Sequence, residues 1–153
     1  MKNVVVTGMG VISCIGSGLN EVISSLKNGK SGIKPNPTYK EMGFRSHVSG
    51  SIDINLSELI DRKVLRFMSE ASGFAYLAAQ EALTNAGLDL SSIDTSRIGI
   101  IAGSGGASSA AQIEASDIAR AKGPKRIGPY AVTKTMGSTV SAILGTTLKL
   151  KGV

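Results

Sequence analysis

Apolar residues fall along the chain in two patterns: short blocks closed by glycine, and longer stretches where they recur at three- and four-residue spacing. Val4-Val5-Val6 is one block, closed by Thr7-Gly8-Met9-Gly10. Ile98, Ile100, Ile101 and Ala102 form another, within Arg97-Ile98-Gly99-Ile100-Ile101-Ala102, which runs into Gly103-Ser104-Gly105-Gly106. A short apolar run bounded by a turn signal predicts a covered, parallel-type strand. The second strand is the one around which the rest of the chain is organised. Its closing glycines let the backbone take positive φ, or let another group approach closely. A functional site and a plain strand-to-helix connection both fit that turn.

The helical pattern recurs four times. Asn20 to Lys27 predicts a short amphipathic helix with Leu19, Val22, Ile23 and Leu26 inward, stopped by Asn28-Gly29. Ser31 to Gly50 reads as loop, with Pro35 and Pro37 excluding a helix. Asp61 to Ala86 predicts the longest helix: Val64, Met68, Ala71, Ala75, Ala78 and Ala82 draw one small-residue stripe along it, and Gly87 ends it. Ser109-Ala110-Ala111-Gln112 has capping-box spacing and starts a helix ended by Gly123-Pro124. Ile127 to Tyr130 is a turn, and Val132 to about Leu144 the last helix. Leu148 to Val153 looks like the lead-in to a further strand. This order of elements is α/β, and no internal repeat interrupts it.

Composition narrows the picture. A chain of 153 residues with 42% hydrophobic and 18% charged residues suits one folded domain with a real core. With 19 glycines and only 4% aromatics, helices are expected to lie close on a sheet. The absence of tryptophan and the scarcity of stacking side chains argue against nucleic-acid work. The formal charge of +6 favours an acidic partner. Its basic residues gather at Arg62, Lys63 and Arg66 and again at Arg120, Lys122, Lys125, Arg126 and Lys134. The N-terminal apolar run is too short for a membrane span or a secretory signal.

Candidate chemistry is sparse. Gly8-Met9-Gly10 after a strand is half of a dinucleotide fingerprint, but Ser13 stands at the third glycine position. Cys14 is the single cysteine, so no internal disulfide forms, which fits a reducing cytoplasm. Its apolar neighbours read as a small buried thiol rather than a nucleophile. His47, the single histidine, lies in a loop without partner spacing around it. Arg62, Lys63 and Arg66 share a helix face at the first turn, where cations oppose the macrodipole. A binding patch and a solvated charged face both explain them.

Taken together, several segments resemble the N-terminal half of a β-ketoacyl-acyl carrier protein synthase, with type I of bacterial fatty acid synthesis nearest in wording. They are residues 6–13, Lys30-Ser31-Gly32-Ile33, residues 61–68, Ile101 to Gly106 and Gly128 to Lys134, with Arg45-Ser46-His47-Val48 and Arg66-Phe67-Met68-Ser69. The resemblance covers residues 1–153 in register. It implies a thiolase-like α/β fold, here its N-terminal half, a mixed sheet with helices on both faces, in a cytoplasmic enzyme that dimerises. It also implies condensation of an acyl thioester with malonyl-acyl carrier protein, acyl carrier protein as partner, and no cofactor, metal, membrane or nucleic acid.

The family's cysteine nucleophile, two histidines and lysine have no match: Cys14 and His47 do not correspond, and the nucleophile segment is expected a few residues after Gly152-Val153. The chain is therefore expected to be a fragment, with no catalytic residue of its own and no condensing activity alone. By resemblance Arg62, Lys63 and Arg66 match the patch presented to carrier protein, with Lys125 and Arg126 near a second basic group. Gly106 and Ala107 lie where the acyl pocket runs, and Thr135 and Met136 where a dimer partner contributes to it. Plain core packing also accounts for those four. Two other classes stay open: a non-catalytic module that binds carrier protein or pairs with a separate C-terminal half, and an unrelated nucleotide-binding domain resting on Gly8-Met9-Gly10.

Overall fold

A computed structural model describes residues 3–106 and 108–152. Its centre is a helix pair, α5 (Glu70–Asn85) and α8 (Thr139–Thr147), the most extensively packed elements. Ile60, Met68, Val140 and Leu144 are buried around this pair. Among the described residues three polar ones are buried too, and each has a partner. The Ser72 hydroxyl donates to the Ser69 carbonyl at 2.9 Å, Ser25 donates to the Ile15 carbonyl at 2.6 Å, and Thr139 donates to the carbonyls of Thr133 and Met136. Burying a hydroxyl without such a bond would cost stability.

Two short antiparallel ladders flank the helices. β1 (Ile12–Ser13) pairs with β2 (Gly16–Ser17), and β3 (Lys34–Pro35) with β4 (Val48–Ser49). The β1–β2 hairpin leads into α1 (Leu19–Lys27), and α5 holds this whole region by its side chains. The Glu81 carboxylate accepts from the backbone N–H groups of Val11 (2.9 Å) and Leu19 (2.6 Å), and Asn85 accepts from Met9 at 3.1 Å. Gly8 and Gly10 lie against the backbone of α5: a Cβ at either would overlap the carbonyls of Ala82 or Ala78. These glycines therefore serve close helix packing. The alternative of a nucleotide-binding turn at Gly8-Met9-Gly10 is not supported, because α5 occupies the turn and the Glu81 carboxylate already accepts from Val11 and from Leu19 at the start of α1.

The predicted single helix over 61–86 is two. α4 (Arg62–Leu65) ends at Arg66, and Ser69, in extended conformation, caps α5 by accepting from the Ser72 N–H at 3.4 Å. The apolar spacing runs unbroken through the junction, while the Ser69 cap stops the helix. Within α5, Ala78 and Ala82 do form the small-residue seat, for Gly10 and Gly8. The predicted helix from Val132 is likewise split into α7 (Ala131–Thr135) and α8, since Met136 is extended and Thr139 ties back to the preceding turn.

Smaller corrections have local causes. Pro37 begins α2 (Pro37–Glu41) instead of excluding it, because proline at the first helical position lacks only an N–H that has no intrahelical partner. Asn36 supplies the cap, accepting from Tyr39 at 3.2 Å. In α1 the inward residue is Ser25, while Leu26 and Ile23 are exposed. α6 (Ser109–Lys122) is capped by Ser108 and stopped at Gly123, as its termini predict to within one residue. α3 (Leu56–Leu59) was not anticipated; Asn55 caps it, and Leu56 packs over Gly73.

The two apolar blocks are not buried strands in this chain. Val4, Val5 and Val6 are exposed, and Ile101 is fully so at 104%. A strand is covered only where neighbours pair with it, and here residues 98–102 receive little: the Gly152 N–H donates to the Ile98 carbonyl at 3.0 Å, and Lys151 donates to Thr95 at 3.1 Å. The lead-in to a further strand expected over residues 148–153 is not formed among the described residues: Leu148 is helical, Lys149 has positive φ, and those two bonds make no ladder. Gly103, Gly105 and Gly106 have no positive φ, and a Cβ at any of them would meet nothing within 4 Å, so neither use expected of this turn is realised among the described residues.

Candidate functional site

Two concave regions hold the side chains singled out from the sequence. The larger is a polar cleft of about 560 Å³ between the β1–β2 hairpin, the outer side of α1 and residues 30–34 and 51–53. Cys14 borders it, half-buried, with Gly32 and Gly50 so near the sulfur that a Cβ on either would crowd it. His47 does not line the cleft; its ring is exposed and its carbonyl accepts from Asn36 at 2.6 Å. Among the described residues no hydrogen bond joins Cys14 to an imidazole, and no cluster of His, Cys, Asp and Glu has metal-holding geometry. The polar groups of the cleft hold backbone. Ser13 donates to the Gly16 carbonyl at 3.3 Å, Glu21 accepts from Ser17 at 2.8 Å, and Asn28 donates to the Ser24 carbonyl at 2.8 Å.

The second region is basic outside and apolar inside. Asp61 caps α4 by accepting from the Lys63 N–H at 2.7 Å. That carboxylate offsets the cations of this single turn, so the uncompensated macrodipole cost expected of a long helix does not arise. Arg62, Lys63 and Arg66 are exposed, as are Lys125 and Arg126 in the turn Pro124–Arg126 that follows α6. Among the described residues two ion pairs form, Lys34–Asp53 and Arg120–Asp117, both at 3.5 Å, and neither uses one of these five cations.

Lys63 stands beside a groove of about 350 Å³ between α4 and the α7–α8 region, walled by Val64, Phe67, Met136, Ala142 and Ile143. Arg66 is held differently. Its guanidinium lies 4.9 Å from the centroid of the Phe67 ring and 5.2 Å from that of Tyr130, and the two rings meet edge to face at 4.9 Å and 85°. Tyr130 precedes α7 and lies in the same turn-rich segment as Arg126. The Arg66–Tyr130 contact thus joins the element carrying the first basic group to the segment carrying the second. Sequence reasoning did not find this triad. The available signal was scarcity, since Phe67 and Tyr130 are two of only six Phe and Tyr residues.

Of the four residues matched to an acyl pocket, Met136 alone lines the groove among the described residues. Gly106 is in the exposed turn after residues 98–102, and Ala107 lies outside the described residues. The Thr135 hydroxyl donates to the Val132 carbonyl at 3.2 Å, while Met136 lines the groove. Among the described residues no helix is long and apolar enough to cross a membrane.

Comparison with known proteins agrees with this architecture. The chain is 51% identical to 3-oxoacyl-acyl-carrier-protein synthase 1 of Haemophilus influenzae, with all of the chain aligned and 38% of that protein covered. A β-ketoacyl synthase from Burkholderia phymatum superimposes with a TM-score of 0.82 at 26% identity, over 100% of this chain and 38% of that one. A ketosynthase solved in complex with its type II PKS acyl-carrier protein shares the fold, with a TM-score of 0.72 at 21% identity, over 97% of this chain and 40% of that one. The thiolase-like α/β class is thereby established, and the chain spans about two fifths of the length of the relatives it matches. The model of the β-ketoacyl synthase N-terminal domain matches residues 1–153. The chain belongs to the β-ketoacyl synthase family.

Proposed function

We propose that these 153 residues are the N-terminal part of a 3-oxoacyl-acyl carrier protein synthase, a cytoplasmic, homodimeric acyltransferase that condenses an acyl thioester with malonyl-acyl carrier protein in fatty acid elongation. Their own share of the work is docking the acidic carrier protein on Arg62, Lys63 and Arg66, with Lys125 and Arg126 as a second group. The observation that supports this reading is a set of exposed cations, Lys63 among them beside an apolar groove, none engaged by a carboxylate among the described residues. The name of the Haemophilus influenzae relative and the carrier-protein complex of the fold neighbour support it. Gly106, Ala107, Thr135 and Met136 are proposed to border the acyl chain once the synthase is complete.

Chemistry assigns the condensation itself elsewhere. Decarboxylative condensation needs a thiolate to hold the acyl group, donors for the carbanion and an oxyanion site. Cys14, beside two glycines and without a hydrogen-bonded imidazole among the described residues, supplies none of these roles. A chimera in which residues 1–153 replace the matching part of the Haemophilus influenzae synthase tests the proposal. It is expected to condense an acyl thioester with malonyl-acyl carrier protein, whereas residues 1–153 alone are expected not to. A folded, dimeric chimera without condensing activity would contradict it.

A further inference from the structure

Among the three cations of the first basic group, Arg66 alone is held by aromatic rings. Arg62 and Lys63 make no ring contact, while the Arg66 guanidinium meets two rings from separate elements. Phe67 is its chain neighbour, but Tyr130 is brought across from the start of α7. Several bonds fix it there: its carbonyl accepts from the Thr133 hydroxyl at 2.9 Å and the Lys134 N–H at 3.2 Å, and its ring abuts Phe67 edge-on. A cation over an aromatic face is attracted by the ring quadrupole, and a planar guanidinium gains stacking that an ammonium does not. Holding the fork in few orientations lowers the freedom lost when it binds a planar, bidentate acceptor.

We propose that Tyr130 is a positioning residue for Arg66, holding its guanidinium ready for bidentate capture of a carboxylate on the acidic helix of the carrier protein. This inference rests on the docking role proposed above and adds the device that makes one cation of the patch directional. It separates the patch into a fixed fork, Arg66, and two mobile charges, Arg62 and Lys63.

The test compares Tyr130→Phe, which keeps the ring, with Tyr130→Leu, which keeps apolar bulk without it, in the full chain and again in an Arg66→Lys background. Two readouts are taken: the Arg66 side-chain Nε–Hε resonance without partner, and affinity for acyl carrier protein. Tyr130→Phe is expected to match the parent in both. Tyr130→Leu is expected to shift and narrow the Arg66 resonance and to weaken binding about two- to fivefold, the scale of an exposed cation–π contact. In the Arg66→Lys background, Tyr130→Leu is expected to change affinity no further. The positioning role is overturned if Tyr130→Leu leaves the Arg66 resonance and the affinity unchanged, or if it weakens binding equally in both backgrounds. Failure of the parent chain to bind carrier protein at all would instead overturn the docking role, while the Arg66 resonance still reports the ring contact. Should Tyr130→Leu unfold, Phe67→Leu removes the other ring and is read in the same way.

Discussion

The polar cleft beside Cys14 and the basic surface around Arg66 differ in a way that raw inventory hides. The cleft is larger and holds the only thiol together with many hydroxyls. Yet several of its side chains are already engaged: Ser13, Glu21, Ser25 and Asn28 each bond to nearby backbone. The basic surface has fewer groups, and its cations have no carboxylate partner among the described residues. A polar side chain that satisfies the fold's own backbone holds structure, while an exposed charge without an internal partner is free for another molecule. That difference separates the region that builds the domain from the one that receives a partner.

Breaking the engaged side gives the largest expected effects. Gly10→Val drives a branched side chain into the Ala78 carbonyl of α5, and overpacking of this kind costs about 1–3 kcal/mol or more. Chemical denaturation should show that loss. Glu81→Ala strips the acceptor from two backbone N–H groups, and leaving such groups unsatisfied costs about 1–3 kcal/mol. Carrier-protein affinity of the folded fraction should stay unchanged in both variants. A loss of affinity without a loss of stability would erase the distinction between the regions.

The basic surface should respond in the opposite sense. Reversing Lys63 and Arg66 to Glu is expected to change stability by no more than about 1 kcal/mol, the scale of the Arg66 ring contact it removes. Each exposed pair is worth about 0.2–1 kcal/mol, so the double reversal should weaken carrier-protein binding about tenfold, measured by titration calorimetry at low salt.

The smallest effect sharpens the engaged class by pH. The Asp94 carboxylate accepts from the Ser96 hydroxyl and N–H, and Asp89 from the same groups of Ser91, which holds both acids below the ordinary carboxylate value. A depressed folded-state value means the stabilisation is present above the unfolded value and is lost as pH falls through the folded one. The gap in thermal midpoint between the parent and Asp94→Ala is therefore expected at neutral pH and should narrow below about pH 4. A gap that widens on acidification would refute the assignment.

The legibility of this chain follows the same divide between local and distant causes. α1 and α6 stand where their stops, Asn28-Gly29 and Gly123-Pro124, place them, because caps act within one turn. The breaks at Ser69 and Met136 are hidden by hydrophobic spacing that continues through both, although their causes are local: the Ser69 cap accepts from the N–H three residues on, and the Ser72 and Thr139 hydroxyls donate to carbonyls three to six residues back. Likewise the apolar blocks at Val4 and Ile98 have strand composition, but pairing depends on neighbours that composition does not specify. In the candidate site, the basic residue types and their grouping were visible in sequence. The approach of Tyr130 to Arg66 was not, since 64 positions separate them and only the packing of α4 beside the α7–α8 region closes that distance.

Arg62, Lys63 and Arg66 are on this account the partner-facing cations of the domain, none of them paired with a carboxylate among the described residues. The most direct test is a side-by-side titration of acyl carrier protein into the parent chain and into a variant with Arg62, Lys63 and Arg66 reversed to Glu. Screening lengths fall from about 10 Å at 0.1 M salt to about 3 Å at 1 M. Binding by the parent that weakens steeply over that range, with none by the variant at the low end, is the predicted result. Equal affinity of the two chains, or binding by the parent that ignores salt, would contradict the account.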